Sequence, residues 1–119
     1  MIIVRKKHKH SLDEMSRHDI QTAQDNLPFR VVVQIPDHNP PHAYLFEKNE
    51  KAKEGYADFL IPPSLPKKPS DIKDYRVKMS EEDRELLFRW LSLKSKRDKF
   101  RSNYELMVLL WSFNTIKYI

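Results

Sequence analysis

Apolar residues are distributed in two distinct ways along this chain. Between positions 29 and 61 they come in short bursts separated by polar or proline-rich breaks; from position 80 onward they recur at helical spacing. The first burst holds Phe29, Val31, Val32, Val33 and Ile35. Such a β-branched run reads as a strand covered on both faces, and Pro36 closes it. A second burst, Ala43, Tyr44, Leu45 and Phe46, stops at the polar positions 47–50. After Gly55, residues 56–61 set Ala57, Phe59 and Ile61 against Asp58 and Leu60, the period-two alternation of a third strand. Together these predict an antiparallel meander of three strands or slightly more.

The remaining segments read as helix or connection. Residues 11–27 open on Ser11 with Glu14 three positions later, a capping-box pattern, but Met15, Ile20 and Ala23 supply only a thin apolar stripe for a helix there. Residues 62–75 carry four prolines without periodicity and are expected to run extended over the surface. Ser80, followed by Glu81, Glu82 and Asp83, marks a helix start with acidic residues complementing the dipole. Leu86, Leu87, Trp90, Leu91 and Leu93 give that helix an apolar stripe expected to pack on the sheet, with Lys94, Lys96 and Arg97 at its C-terminal end. Ser102 and Glu105 repeat the capping-box pattern ahead of six successive apolar residues, 106–111. A helix without a polar face must be buried on several sides. The pattern therefore predicts either insertion into the core or a homodimer or partner contact through Leu106, Leu109, Leu110 and Phe113, with a strand as the alternative for so short a run. The fold class is α+β, an antiparallel sheet packed against C-terminal helices. Residues 1–119 form a single domain: 1–27 a basic segment and helix, 28–61 the meander, 62–79 the connection, and 80–119 helical.

Composition narrows the chemistry. The chain has 119 residues, 39% hydrophobic and 33% charged, and no cysteine, which excludes disulfides, thiolate metal sites and a thiol nucleophile. No apolar run reaches secretory or membrane-spanning length, so a cytoplasmic protein without membrane contact is expected. Part of the basic excess behind the net charge of +5 is concentrated at Arg5, Lys6, Lys7 and Lys9, and again at Lys94, Lys96, Arg97, Lys99 and Arg101. Clusters of this kind suit a polyanion such as nucleic acid, although they read equally as solvated surface and helix-end charge.

The segment Asp37-His38-Asn39-Pro40-Pro41-His42, between the first two strands, gathers the chain's chemically versatile side chains. Two prolines stiffen the turn, and a stiff turn can display imidazoles as acid, base, switch or ligand. The prolines exclude a helical metal site, and no metal or other cofactor is assigned. A metal-independent RNA-cleaving hydrolase would use His38 and His42 as acid and base, with Arg30 or Arg76 stabilising the developing charge. The alternative role is structural, with the histidines hydrogen-bonding the tight loop.

Strand, DHNPPH turn, strand, glycine, strand and amphipathic helix in this order resemble a family of small bacterial proteins of unknown function marked by a D-H-x-P-P-H-x-H signature, often encoded beside a second small protein in a toxin–antitoxin-like arrangement. The resemblance covers residues 28–96. Asp37, His38, Pro40, Pro41 and His42 match the signature, and Tyr44 stands where its last histidine would be. It implies a binding protein with a cognate small partner; if the motif acts through its last histidine, this chain either has lost that activity or uses the Tyr44 hydroxyl in its place. The leading expectation is a small cytoplasmic binding protein contacting nucleic acid or that partner through Asp37, Tyr44, Lys94, Lys96, Arg97, Lys99 and Arg101.

Overall fold

The computed structural model describes residues 17–49 and 51–116. Strands β1 (Arg17–Asp19), β2 (Phe29–Gln34), β3 (His42–Glu47) and β4 (Ala57–Leu60) form one antiparallel sheet in chain order. Helices α1 (Glu81–Leu91) and α2 (Asn103–Ile116) follow, so the fold is α+β with the helices after the sheet. Period-two alternation sorts the strands: Phe29, Val31, Val33, Ala43, Leu45, Ala57 and Phe59 point into one core with Leu87, Trp90, Leu91, Leu106, Met107 and Trp111. The opposite face carries Arg30, Val32, Tyr44, Phe46 and Asp58, aligned by the pairs Arg30↔Phe46, Val32↔Tyr44 and Tyr44↔Asp58. Val31, Val32 and Val33 are all buried, as a strand covered on both faces requires.

The fourth strand replaces part of the helix expected over residues 11–27. Residues 17–19 pair with β2 through Arg17↔Gln34 and Asp19↔Val32, and a 3-10 turn at Ala23–Asp25 follows. Thr22 and Asp25 close a local capping box, with the Thr22 N–H donating to Asp25 Oδ2 at 2.7 Å, and Asn26 at φ 57° ends the turn. With so few apolar positions, backbone pairing to an existing strand outweighs an isolated helix. The Ser11–Glu14 pattern and the basic cluster at Arg5, Lys6, Lys7 and Lys9 lie outside the described residues.

The proline-rich connection does more than cross the surface. After a 3-10 turn at Pro69–Asp71 it returns along β4, with the Tyr75 N–H donating to the Asp58 carbonyl at 3.0 Å and the Leu60 N–H to that of Lys73 at 2.8 Å. It thereby covers an otherwise open sheet edge and delivers Tyr75 and Arg76 beside β3.

In α1 the Ser80 hydroxyl accepts the Asp83 N–H at 3.1 Å, the expected N-cap. Leu87, Trp90 and Leu91 are buried, whereas Leu86 and Leu93 are exposed: Leu86 lies about 100° round the helix from Leu87, and Leu93 falls beyond the helix end. The helix packs on α2 and on the 69–71 turn, and it is α2 that lies against β2. Lys94, Lys96 and Arg97 accordingly sit in a loop, 92–102, rather than in a last helical turn. The second capping box forms as predicted, with Ser102 N–H to Glu105 Oε1 at 2.7 Å and Glu105 N–H to Ser102 Oγ at 3.0 Å. The apolar run of α2 is largely used inside the chain: Leu106, Met107 and Trp111 are buried, Leu109 and Leu110 pack on the same core, and Val108 and Phe113 remain exposed. The expected intermolecular contact thus loses Leu106, because α1 and the sheet cover that helix on two sides. Among the described residues no helix is long and apolar enough to cross a membrane.

Candidate functional site

The 37–42 turn is fastened from both ends. The Asp37 N–H donates to Asn114 Oδ1 at 2.6 Å, and Asn114 Nδ2 donates to the Gln34 carbonyl at 3.3 Å, so α2 clamps the end of β2. The Ile35–Pro36 and Asn39–Pro40 peptide bonds are cis. His42, the first residue of β3, has a fully buried side chain, 0% exposed, whereas that of His38 is 59% exposed. The His42 ring packs against Tyr75, Tyr44, His38 and Trp111, with centroids 4.8, 5.2, 5.2 and 5.4 Å away.

The proton inventory at His42 follows from its partners. Nδ1 lies 2.6 Å from the Pro40 carbonyl oxygen, which can only accept, so Nδ1 carries a proton. Tyr44 donates its single hydroxyl proton to Asp37 Oδ2 at 2.7 Å and accepts from Arg76 Nη2 at 3.2 Å. Nε2 stands 3.0 Å from that hydroxyl and 3.1 Å from Asp37 Oδ2. With the hydroxyl proton directed to Asp37, Nε2 faces two oxygens, an arrangement that favours the protonated ring beside the carboxylate. Burial alone would lower the His42 pKa, but hydrogen bonds to Asp37 and the Pro40 carbonyl together outweigh it and raise the pKa above the ordinary 6.5. Burial likewise pushes Asp37 upward, and the hydrogen bonds from His42, Tyr44 and the His38 N–H bring it net below 3.8. Burial beside the Asp37 carboxylate raises the Tyr44 phenol.

Arg76 extends this network to Asp58. Asp58 Oδ2 receives Arg76 Nε at 2.9 Å, while Oδ1 receives the N–H groups of Arg76 at 2.7 Å and Val77 at 2.8 Å. Of the two arginines considered beside the histidines, Arg76 is therefore within one hydroxyl of His42. Arg30 is not: it donates to the Glu47 carbonyl at 3.2 Å and faces Asp19 at 3.5 Å. On the outer sheet face the guanidinium carbons of Arg17 and Arg30 sit 5.1 and 5.2 Å from the Phe46 ring centroid. A groove of about 470 Å³ opens there between Arg17, Tyr44, Lys53, Asp58 and Arg76. Gly55 passes so close that a Cβ would stand 3.1 Å from Tyr44 Cβ and from the Leu45 carbonyl.

The second predicted group, the cations of the 92–102 loop, lies apart from this turn in a small structured hairpin. Lys94 bridges Ser102, and the Ser95 N–H donates to the Arg101 carbonyl at 2.8 Å. The buried Ser95 hydroxyl accepts the N–H groups of Arg97 at 3.0 Å and Asp98 at 2.9 Å. Three of the five cations have tertiary or local partners: Lys96 reaches Asp25 at 3.6 Å, Arg97 the Gln21 carbonyl at 3.1 Å, and Arg101 the Asp98 carboxylate at 2.6 Å. Lys94 is exposed, and the Lys99 ammonium lies 5.7 Å from the centroid of Phe100, a ring 83% exposed.

Sequence reasoning missed Phe100, although its place between Lys99 and Arg101 makes an aromatic inside a basic run visible without coordinates. It also missed Trp111, Asn114 and Tyr75 as partners of the turn, for which the chain gives no local signal. Fold and geometry thus define an α+β domain with a buried His–Asp–Tyr network at one turn and a basic aromatic hairpin at another. Comparisons with family models, with curated proteins and with solved structures find no match to this chain.

Proposed function

We propose that the protein is a small cytoplasmic binding module that contacts single-stranded nucleic acid through the 92–102 hairpin. The observation that carries this reading is Phe100, standing almost wholly in solvent beside Lys99 in a hairpin that also carries Lys94 and Arg101. Exposing a phenyl ring to water is unfavourable, whereas an aromatic platform beside cations is the combination on which unstacked bases stack while phosphates are neutralised. The hairpin's internal hydrogen bonds preorganise it, so little ordering accompanies binding. Lys94, Lys99 and Phe100 make the contact, Arg101 borders it, and Lys96 and Arg97 dock the loop on the β1–β2 connection.

A cognate small protein, as the resemblance to toxin–antitoxin-like pairs implies, is the second reading, favoured by the exposed Val108 and Phe113 on α2. An RNA-cleaving role for His38 and His42 has less support, because both His42 nitrogens are engaged internally and its ring has no exposed surface. Fluorescence anisotropy with a labelled single-stranded RNA tests the main reading. Phe100→Ala is expected to weaken binding about tenfold, and Lys94→Ala with Lys99→Ala to weaken it further and flatten the salt dependence by about two contacts. Unchanged affinity in both variants removes the hairpin as the binding surface.

A further inference from the structure

We propose that Asp37, His38 and His42 form a binding site for a divalent first-row transition ion. Among the described residues one ligand atom from each of these three side chains lies within 4.8 Å of the others. Asp37 stands in the middle, with Oδ1 2.9 Å from His38 Nδ1 and Oδ2 3.1 Å from His42 Nε2. Donors 3.1 Å apart subtend about 95° at an ion about 2.1 Å from each. Near-right angles suit the two-histidine, one-carboxylate arrangement of a five- or six-coordinate ion more than a closed tetrahedron. This site is independent of the hairpin and does not rest on its function.

The surroundings are those of a supported ligand set. A metal-binding histidine ordinarily donates its other ring N–H to a carbonyl or carboxylate, which fixes the tautomer and aims the ligating nitrogen. His42 Nδ1 does this to the Pro40 carbonyl at 2.6 Å, and the packed Tyr75 and Trp111 rings leave the imidazole no room to swing. The Tyr44 hydroxyl holds Asp37 Oδ2 at 2.7 Å, orienting the carboxylate. Arg76, whose Nη2 reaches the Tyr44 hydroxyl at 3.2 Å, is paired with Asp58 at 2.9 Å, so its charge is offset. The ion lies between Nε2 and Oδ2, 3.1 Å apart, where the ring N–H points in the free protein. Binding replaces that proton: Nε2–H releases H⁺ to solvent, the freed lone pair ligates the ion, and the Asp37 carboxylate remains anionic. His38, exposed on the outer side, closes the set by rotating its ring, and the positions beyond it open to water.

The test is titration of the untagged full chain with Co²⁺, read by visible ligand-field absorption, together with calorimetry using Zn²⁺. One equivalent per chain is expected. His38→Ala, at an exposed position, should keep the fold by circular dichroism and lose at least tenfold in affinity, in the range known for single ligand or support losses. Replacing His8 and His10 together should leave binding unchanged, which separates the turn from the histidines near the N-terminus. Tyr44→Phe should weaken binding by less than His38→Ala does. An Nε2 ¹⁵N resonance of His42 that moves on addition of Zn²⁺ to the wild-type chain supports the site without any buried substitution. Absence of saturable one-to-one binding, full affinity in His38→Ala, loss confined to the His8/His10 variant, or an unmoved His42 resonance overturns the proposal.

Discussion

The turn at 37–42 and the hairpin at 92–102 are built from similar material, charged and polar residues between regular elements, yet they are opposites in how far those groups are committed. In the turn Asp37, His42, Tyr44, Arg76 and Asp58 form one continuous chain of hydrogen bonds, each charge facing a counter-charge. In the hairpin a phenyl ring and the Lys94 and Lys99 ammonium groups face solvent. The cause is topological. The turn is enclosed by Trp111 and Asn114 of α2 and by the returning 73–77 segment, whereas the hairpin touches the sheet region through Lys96 and Arg97. Reactive residue types do not by themselves reveal whether they are free to act; the neighbours that the fold places around them decide it.

The sharpest way to break this contrast is His42→Ala. It leaves the Asp37 carboxylate without its cation and opens a void against Tyr75 and Trp111, so unfolding in urea should show a loss of about 3 kcal/mol. A midpoint equal to that of the parent would mean that the turn is no more committed than the hairpin. Asp58→Ala comes next. It orphans the Arg76 and Val77 N–H groups and releases the Arg76 guanidinium, with an expected loss of about 2 kcal/mol by the same measurement; an effect within error would show that the 73–77 segment is held by its backbone pairing alone.

A pH series sharpens the comparison at a third place, the Asp74–Arg84 pair under α1, where Arg84 Nη2 meets Asp74 Oδ2 at 2.8 Å. Burial pushes Asp74 upward, but the Met79 N–H and the Arg84 guanidinium bring it net below its ordinary value of 3.8. A carboxyl whose folded pKa is depressed contributes stability that is complete above the unfolded value and is lost as pH falls through the folded one. Acid unfolding of Asp74→Asn should therefore depend less on pH below about 4 than that of the parent. Parallel acid curves would show that the pair adds nothing. The smallest expected effect is at the hairpin: Phe100→Ala should alter stability by no more than about 0.5 kcal/mol, in contrast to the tenfold effect that the proposed RNA contact predicts. A stability loss comparable to that of His42→Ala would mean that Phe100 is structural.

Much of this organisation was legible before any coordinates. The β-branched run at 31–33, the alternation at 57–61, the Ser80 cap and the Ser102–Glu105 box each depend on residues within a few positions of one another, and each appears as expected. Local physics is written in local sequence. The crowding of Asp37, His38 and His42 was visible for the same reason, and so was Phe100 within its basic run, had its neighbours been weighed with it.

What the chain alone determined, then, is where strands and helices start and which side chains cluster along six or eight residues. The tertiary structure decided the rest. β1 exists because β2 offered an unpaired edge to a segment with no apolar pattern of its own. The four-proline connection covers a sheet edge because its return along β4 satisfies backbone groups there. His42 is buried because Trp111 and Tyr75, remote in sequence, close over it, and Leu106 turned inward because two layers compete for one apolar helix. Hydrogen-bond commitment and burial are sums over neighbours that only the folded chain brings together, and those sums separate the fastened turn from the open hairpin.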